Sequence, residues 1–194
     1  MVLADKDILT GHLSTDISMI MKENSRLAAS ISVVEMAELA QLLQQAKRIF
    51  VIGAGRTGLM MKAAAMRLMH LGLTVYVTGE TTTPAIGEGD VLIAASGSGT
   101  TSSIVKAAEK AHTAGAVVAA LSTTKQSPLA AVAQTVLVIP AAQKQDFHGS
   151  ITQQYAGSLF EQSVLLVMDA LFQTLWTLSG TPPEVMWKLH ANME

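Results

Sequence analysis

The chain has 194 residues, of which 49% are hydrophobic and 14% charged, and its formal net charge is −2. This length suits one domain with a complete core, and the near-neutral charge gives no reason to expect nucleic acid as a partner. The absence of cysteine excludes disulfides and thiolate chemistry. The five histidines are scattered without metal-ligand spacing, so no metal site is expected.

The high apolar content requires either a membrane or protein partners that cover helix faces. The most apolar stretch, residues 163–179, is interrupted by Asp169 and Gln173, whereas a spanning helix needs about 20 apolar residues in a row. The first residues lack the basic-then-apolar pattern of a signal peptide. We therefore expect a cytoplasmic protein without a membrane segment, which buries its excess apolar surface as a homo-oligomer.

Helices and strands are predicted to alternate along the chain. Residues 3–47 have helical spacing, and Ser32 with Glu35 forms a capping box for a second helix at 33–46. Later helices are predicted at 59–71, 101–114, 127–133 and 153–178, with a short one after Pro182-Pro183. Strands are predicted at the apolar runs 48–52, 73–77, 90–95, 116–121 and 135–139. Such a pattern is typical of a three-layer α/β fold with a parallel sheet.

A first glycine-rich turn follows the first strand. Its sequence, Gly53-Ala54-Gly55-Arg56-Thr57-Gly58, matches the GxGxxG fingerprint of dinucleotide-binding folds, and the acidic Glu80 lies near the end of the second strand. An NAD-dependent dehydrogenase is therefore one interpretation, and an ordinary tight turn is another.

A second turn, Ser96-Gly97-Ser98-Gly99-Thr100-Thr101, follows the third strand. Its glycines allow the backbone to approach an anion, and its N–H groups and the next helix N-terminus attract negative charge. Ser96, Ser98 and Thr101 add hydroxyl donors that suit a phosphate monoester. In a sheet ordered 2-1-3-4-5, both turns lie at one crevice. Two turns, with little chain left for a catalytic domain, argue against the dehydrogenase.

The second turn is similar to the SxSGxT loop of sugar isomerase (SIS) domains, and the first turn resembles their first loop. Residues 82–86 (TTPAI), 158–162 (SLFEQ) and 190–194 (HANME) resemble the branch that interconverts 3-hexulose 6-phosphate and fructose 6-phosphate in formaldehyde fixation by the ribulose monophosphate route. The resemblance spans 1–194 and implies a single SIS domain, with helices at 1–47 and 153–194 packing on the sheet and on neighbouring subunits. It further implies a five-stranded sheet, a homotetramer, a sugar-phosphate substrate, and no cofactor.

The resemblance also implies where the substrate binds. The phosphate falls on the loop at 96–101, the catalytic base on Glu161, and the first loop contributes Gly55 and Arg56. The alternative for Arg56 is that it does not contact the substrate and instead forms a salt bridge across a subunit boundary. Ser122, at the end of the fourth strand, is either a further hydroxyl donor at the same sheet edge or an ordinary strand residue.

Glu161 suits the chemistry of this isomerisation. Moving a carbonyl from C3 to C2 requires a base that removes the C2 proton and returns one to C3 through a 2,3-enediolate. Apolar residues follow it at helical spacing: Val164, Leu165, Met168 and Phe172. Loss of water there makes a carboxylate a stronger base. The alternative is an ordinary acid near a helix start, paired with a cation.

Two histidines are further candidates. His190 is a second catalytic group, reaching its own site or that of a neighbouring subunit, or else a solvated residue of a terminal helix. His148 lies in a polar segment and either touches the substrate or is loop surface. The remaining functional alternatives are an isomerase of a pentose or heptose phosphate and a non-catalytic sugar-phosphate regulator.

Overall fold

The computed structural model describes residues 5–146 and 151–193, in which strands and helices alternate. The helices in these ranges are α1 (Lys6–Ala28), α2 (Val33–Gln45), α3 (Gly55–His70), α4 (Ser102–Thr113), α5 (Pro128–Val132), α6 (Ser158–Ser179) and α7 (Pro183–Trp187). The strands are β1 (Ile49–Gly53), β2 (Val75–Val77), β3 (Val91–Ala95), β4 (Val117–Ser122) and β5 (Thr135–Val138).

The five strands form one parallel sheet in the order β2-β1-β3-β4-β5. In the register, Val51 of β1 lies beside Val77 of β2 on one side and Ile93 of β3 on the other. The predicted α/β class and strand order are therefore confirmed. Because the strands are parallel, the turns that follow β1 and β3 emerge at the same edge.

The sheet is buried on both faces, as its apolar strands predict. On one face, Val51, Ile93 and Leu121 pack in a cluster with residues of α2, α3 and α6. On the other face, Phe50 and Leu92 pack with residues of α4 and α5. The two sets alternate along β1 and β3 because successive side chains of a strand point to opposite faces.

Two helix starts differ from the sequence prediction. The helix predicted from residue 59 begins at Gly55, so most of the first glycine turn is the first turn of α3. The helix predicted from residue 153 begins only at Ser158, because Gly157 has φ +81° and turns the chain into α6. Glycine adopts this left-handed conformation without the steric cost that other residues carry.

The first helix is only partly covered. Its C-terminal end packs near α6 and buries Glu23, Asn24 and Leu27, whereas its earlier turns expose several large apolar side chains: Ile8, Leu9, Leu13, Ile17 and Met21. Among the described residues no single helix has the length and apolar character for a membrane span. Within these same residues, only α1 and α2 taken together have enough length and apolar character, and these two helices meet at an angle of 80°.

Candidate active site

A cleft of about 420 Å³ opens at the carboxyl edge of the sheet. The first turn contributes Ala54 and Thr57, and the second turn most of its residues. The remaining wall comes from two segments distant in sequence, which are residues 142–145 after β5, and Gly157 with Phe160 at the start of α6. The two turns therefore share one cleft, as the strand order predicts.

The second turn lines the cleft with five of its residues: Ser96, Gly97, Ser98, Thr100 and Thr101. Ser96 Oγ and Thr101 Oγ1 are 3.0 Å apart, and Ser98 Oγ and Thr100 Oγ1 are 2.8 Å apart. These hydroxyls precede α4, whose first N–H groups have no partner inside the helix. Hydroxyls and helix amides at one wall form an environment that suits a phosphate.

The remaining residue of this turn, Gly99, is buried beneath it. Its φ is +63°, and a Cβ there would collide with the side chain of Ser127. Its carbonyl accepts a hydrogen bond from the N–H of Leu129 at 3.0 Å. Gly99 therefore fixes the turn from below, where no other residue fits.

Ser122 supports the same turn rather than facing the cleft. It is fully buried, and its hydroxyl donates to the carbonyl of Gly97 at 3.2 Å. Thr123 donates to that carbonyl from its hydroxyl at 2.8 Å and from its N–H at 3.0 Å. In this structure Ser122 therefore contacts the loop, and its expected contact with the substrate stays a prediction.

The first turn is held by close backbone packing. A Cβ on Gly58 would lie 2.6 Å from the carbonyl oxygen of Gly53, so the strand and helix meet only because both are glycine. Gly55 opens α3 with φ +57°. Arg56, the next residue, extends to α6, where its NH1 lies 3.0 Å from Glu161 Oε2. Arg56 therefore has a salt-bridge partner within its own chain.

Glu161 is a buried carboxylate with two cations beside it. The residue is 5% exposed. Arg56 contacts Oε2, and Lys144 Nζ lies 3.9 Å from Oε1. Both predicted environments are thus present: the carboxylate is shielded from water, and it is also paired. Of its expected apolar neighbours, Val164 and Met168 are buried, whereas Leu165 and Phe172 are partly exposed.

Gly157 and Lys144 connect this carboxylate to the cleft. Both line the cleft, which Glu161 and Arg56 do not. A Cβ on Gly157 would lie 3.7 Å from Glu161 Oε1 and 3.0 Å from Lys144 Cε. Glu161 therefore lies next to the part of the cleft wall that Lys144 and Gly157 form.

The segment that leads into α6 is anchored by Glu23 of α1. The Glu23 carboxylate accepts hydrogen bonds from the Thr152 hydroxyl at 2.5 Å, the Gln153 N–H at 2.8 Å and the Gln154 amide at 3.0 Å. Burial raises the pKa of Glu23, but these bonds and nearby Arg26 outweigh it, so the net pKa is below its usual value. The charged carboxylate of Glu23 thus holds residues 152–154, which lead to Gly157 and α6, in place.

His190 lies away from the cleft of its own chain. Its ring stacks on His70 with centroids 4.0 Å apart, and on Trp187 at 4.4 Å. His70 ends α3 and therefore lies roughly 22 Å along the helix from Gly55. Burial, His190 and Arg67 lower the pKa of His70. A catalytic role of His190 therefore requires a neighbouring subunit, and His148 lies outside the described residues.

The other sequence interpretations find less support. Glu80, the acidic residue expected at a dinucleotide ribose, pairs with Lys62 at 2.5 Å in an exposed position. Within residues 5–146 and 151–193, no three His, Cys, Asp or Glu side chains converge as metal ligands do. Lys144 and Thr57 also line the cleft but were not among the site residues predicted from the sequence. For Lys144, the available signal was its position just after the last strand, at the edge where ligands bind.

Comparisons with known proteins agree with this architecture. Residues 42–168 match the SIS domain. The chain is 51% identical to the 3-hexulose-6-phosphate isomerase of Mycobacterium gastri, over 94% of this chain and 92% of that protein. It is 42% identical to the 3-hexulose-6-phosphate isomerase of Bacillus subtilis (strain 168), over 90% and 95%. A hypothetical protein of Methanococcus jannaschii, whose crystal structure infers a molecular function of 3-hexulose-6-phosphate isomerase, superposes with a TM-score of 0.79 at 25% identity, over 93% of this chain and 99% of that one.

Proposed function

This chain belongs to the SIS-domain family, and from that premise we propose that it interconverts 3-hexulose 6-phosphate and fructose 6-phosphate. The observation that carries the proposal is the buried carboxylate of Glu161, which lies beside a cleft lined by the hydroxyl-rich turn at 96–101. One feature suits a base and the other suits a phosphate. The identity to isomerases named for this substrate supports the choice of sugar.

The phosphate binds at the second turn. Ser96, Ser98 and Thr101 line the cleft with hydroxyl-bearing side chains, and the turn leads directly into the N-terminus of α4, whose first amides suit an anion. Gly97 and Thr100 complete the cleft side of the turn, and the small Gly97 allows the backbone to approach the phosphate oxygens, while Gly99 holds the turn from beneath. Gly55 positions Arg56, which reaches the substrate indirectly through Glu161.

Glu161 carries the proton. It removes the C2 proton of 3-hexulose 6-phosphate, and the resulting 2,3-enediolate takes a proton back at C3, so one carboxylate serves both steps. A group buried in this way loses competing water, which strengthens its interaction with a substrate proton. Arg56 holds Oε2, so the other oxygen, Oε1, is the one that faces the substrate.

The substrate enters as an open chain. A 3-ketose 6-phosphate cannot close a five-membered ring, because the oxygen it would need on C6 is esterified, and closure through the C5 hydroxyl gives a strained four-membered ring. A ring-opening acid is required only when cyclic fructose 6-phosphate is used in reverse. His190 of a neighbouring subunit is our candidate for that role.

We also infer a cytoplasmic homotetramer. The apolar side chains of α1 that stay exposed in one chain supply a surface for another copy. A charged sugar phosphate is retained inside the cell, so an enzyme that consumes it is expected there. Burial of the C-terminal residues against a neighbour would also bring His190 toward a second cleft.

The test is a coupled assay on 3-hexulose 6-phosphate with fructose 6-phosphate formation as the readout. The same assay is run with pentose and heptose phosphates, which separates the substrate alternatives. Turnover distinguishes an enzyme from a regulator that only binds the sugar. Absence of turnover on the hexulose phosphate, with turnover on another sugar phosphate, would contradict the proposed substrate.

A further inference from the structure

We propose that Lys144 is a second catalytic residue, which leaves Glu161 when substrate binds and donates to the oxygens on C3 and C2 as the enediolate forms. This inference rests on the proposed isomerase function. It concerns a residue that neither the glycine turns nor the helical pattern of the sequence points to.

The position of Lys144 in the cleft wall is the first observation that supports this role. It is the only charged side chain among the described residues that line the cleft. The turn at 96–101 contains no lysine or arginine, and Arg56 does not line the cleft. Any negative charge that develops on a substrate in this cleft therefore has Lys144 as its nearest cation on the wall near Glu161.

The two cations beside Glu161 are held differently. Arg56 NH1 makes a 3.0 Å hydrogen bond to Oε2, whereas Lys144 Nζ stands 3.9 Å from Oε1, beyond hydrogen-bond distance. The Lys144 side chain is 67% exposed and that of Arg56 49%. Arg56 therefore orients the carboxylate, and Lys144 is the partner that can move away without leaving Glu161 unpaired.

The space around Lys144 supports such a movement. Its Cε lies against Gly157, where a Cβ would approach to 3.0 Å. The absence of a side chain at 157 leaves the lysine stem a path between Glu161 and the cleft. Because Nζ stands 3.9 Å from Oε1, we expect a substrate carbon that approaches Oε1 to displace the ammonium toward the oxygens on that carbon and its neighbour.

The chemistry balances without any further reactant. Glu161 takes the C2 proton, the C2–H electron pair forms the C2=C3 bond, and the C3 carbonyl pair moves to its oxygen as an oxyanion. The Lys144 ammonium donates a hydrogen bond to that oxygen and stays protonated throughout. The hydroxyl proton on the C2 oxygen then passes to the C3 oxygen, the C2 carbonyl forms, and Glu161 returns its proton to C3.

The test compares Lys144→Met and Lys144→Arg with a matched control, Lys106→Met, which removes an exposed lysine from α4. Loss of an oxyanion donor lowers kcat by about 10²–10³-fold, so Lys144→Met should lose roughly this much while KM changes far less. Lys144→Arg should recover part of kcat, because it restores a donor and a charge. Lys106→Met should match the wild type.

The same experiment separates this inference from the proposed function. If the wild type turns over 3-hexulose 6-phosphate and Lys144→Met retains its kcat, the role of Lys144 is overturned and the isomerase stands. If Lys144→Met raises KM alone, Lys144 only binds the substrate, and the inference is again wrong. If the folded wild type does not turn the substrate over, both proposals are overturned together.

Discussion

Arg56 and Glu161 are 105 residues apart in sequence, yet the NH1 of one lies 3.0 Å from the Oε2 of the other. The contact joins the first glycine turn to the start of α6, so it fixes the carboxylate relative to that turn. Because Oε2 is occupied, Glu161 presents its other oxygen toward Lys144 and the cleft. This pairing holds the buried carboxylate in one orientation, as the proposed role of Glu161 as a base requires.

Glu161→Gln removes the base and retains the side-chain shape. General-base catalysis contributes about 10²–10⁴-fold, so turnover should fall by at least this range while fructose 6-phosphate still binds. The measurements are the coupled assay, deuterium exchange at the substrate carbon in D2O, and calorimetric binding. Undiminished exchange would refute the assignment of the base.

Ser98→Ala removes one hydroxyl from the cleft wall at the second turn. A hydrogen bond to a charged group contributes about 1.5–3 kcal/mol, so affinity for fructose 6-phosphate should fall by roughly tenfold or more. The change should appear mainly in KM, because the phosphate is distant from the reacting carbons. Thr113→Ala, at the other end of α4, is the control. Unchanged affinity would mean that the phosphate binds elsewhere.

Much of the fold was predictable, because each strand is an apolar run that ends at a recognisable turn. The shared cleft followed from the expected strand order 2-1-3-4-5, because the two turns end strands that are neighbours in that order. The start of α6 was predicted too early, since Gly157 turns the chain by a left-handed conformation that helical periodicity does not reveal. The contact of Lys144 with Glu161 depends on how the segment after β5 packs, which no local pattern encodes.

Gly157→Ala tests whether the start of α6 sets the active-site geometry. Alanine there must adopt φ +81° and meet Lys144 Cε at 3.0 Å. Gly180→Ala is a matched control, because Gly180 also has a positive φ, at the other end of α6, with nothing within 4 Å of the added Cβ. Each change should cost about 1–2 kcal/mol of folding stability from backbone strain. Only Gly157→Ala should also lower kcat; equal activity of the two variants would contradict this geometry.

The exposed face of α1 should be an interface between copies of the chain. Leu13 and Ile17 are 68% and 64% exposed, and they continue with Ile20, Asn24 and Leu27 at alternating spacings of three and four residues. Leu13→Glu with Ile17→Glu should give a smaller particle in sedimentation velocity. Thr15→Glu with Ser18→Glu adds the same charge to the opposite face and should leave the particle size unchanged. An unaltered size for the first pair would exclude this face from the assembly.

Asp90 should make the stability of the fold depend on pH. This carboxylate is 1% exposed, and it accepts hydrogen bonds from Arg48 Nε at 2.9 Å and from the Gly87 N–H at 2.8 Å. The hydrogen bonds from Arg48 lower the pKa of Asp90 although burial opposes them. The folded chain therefore binds the proton less readily than the unfolded chain. The stabilisation is present above the unfolded value of about 3.9 and is lost as pH falls through the lower folded value.

Asp90→Asn removes this charge, so at neutral pH it should unfold more easily in urea, by about 1.5–3 kcal/mol for lost hydrogen bonds to a charged group. The stability of Asp90→Asn should also depend less on pH between 3 and 5 than that of the wild type. The free energies of unfolding of the two proteins should therefore approach each other as the pH falls. Asp16→Asn, which changes an exposed carboxylate of α1, should follow the wild type. All three proteins are compared at one concentration, because assembly contributes to apparent stability. A constant difference between wild type and Asp90→Asn across this range would show that the Arg48 pairing is not what stabilises the folded chain there.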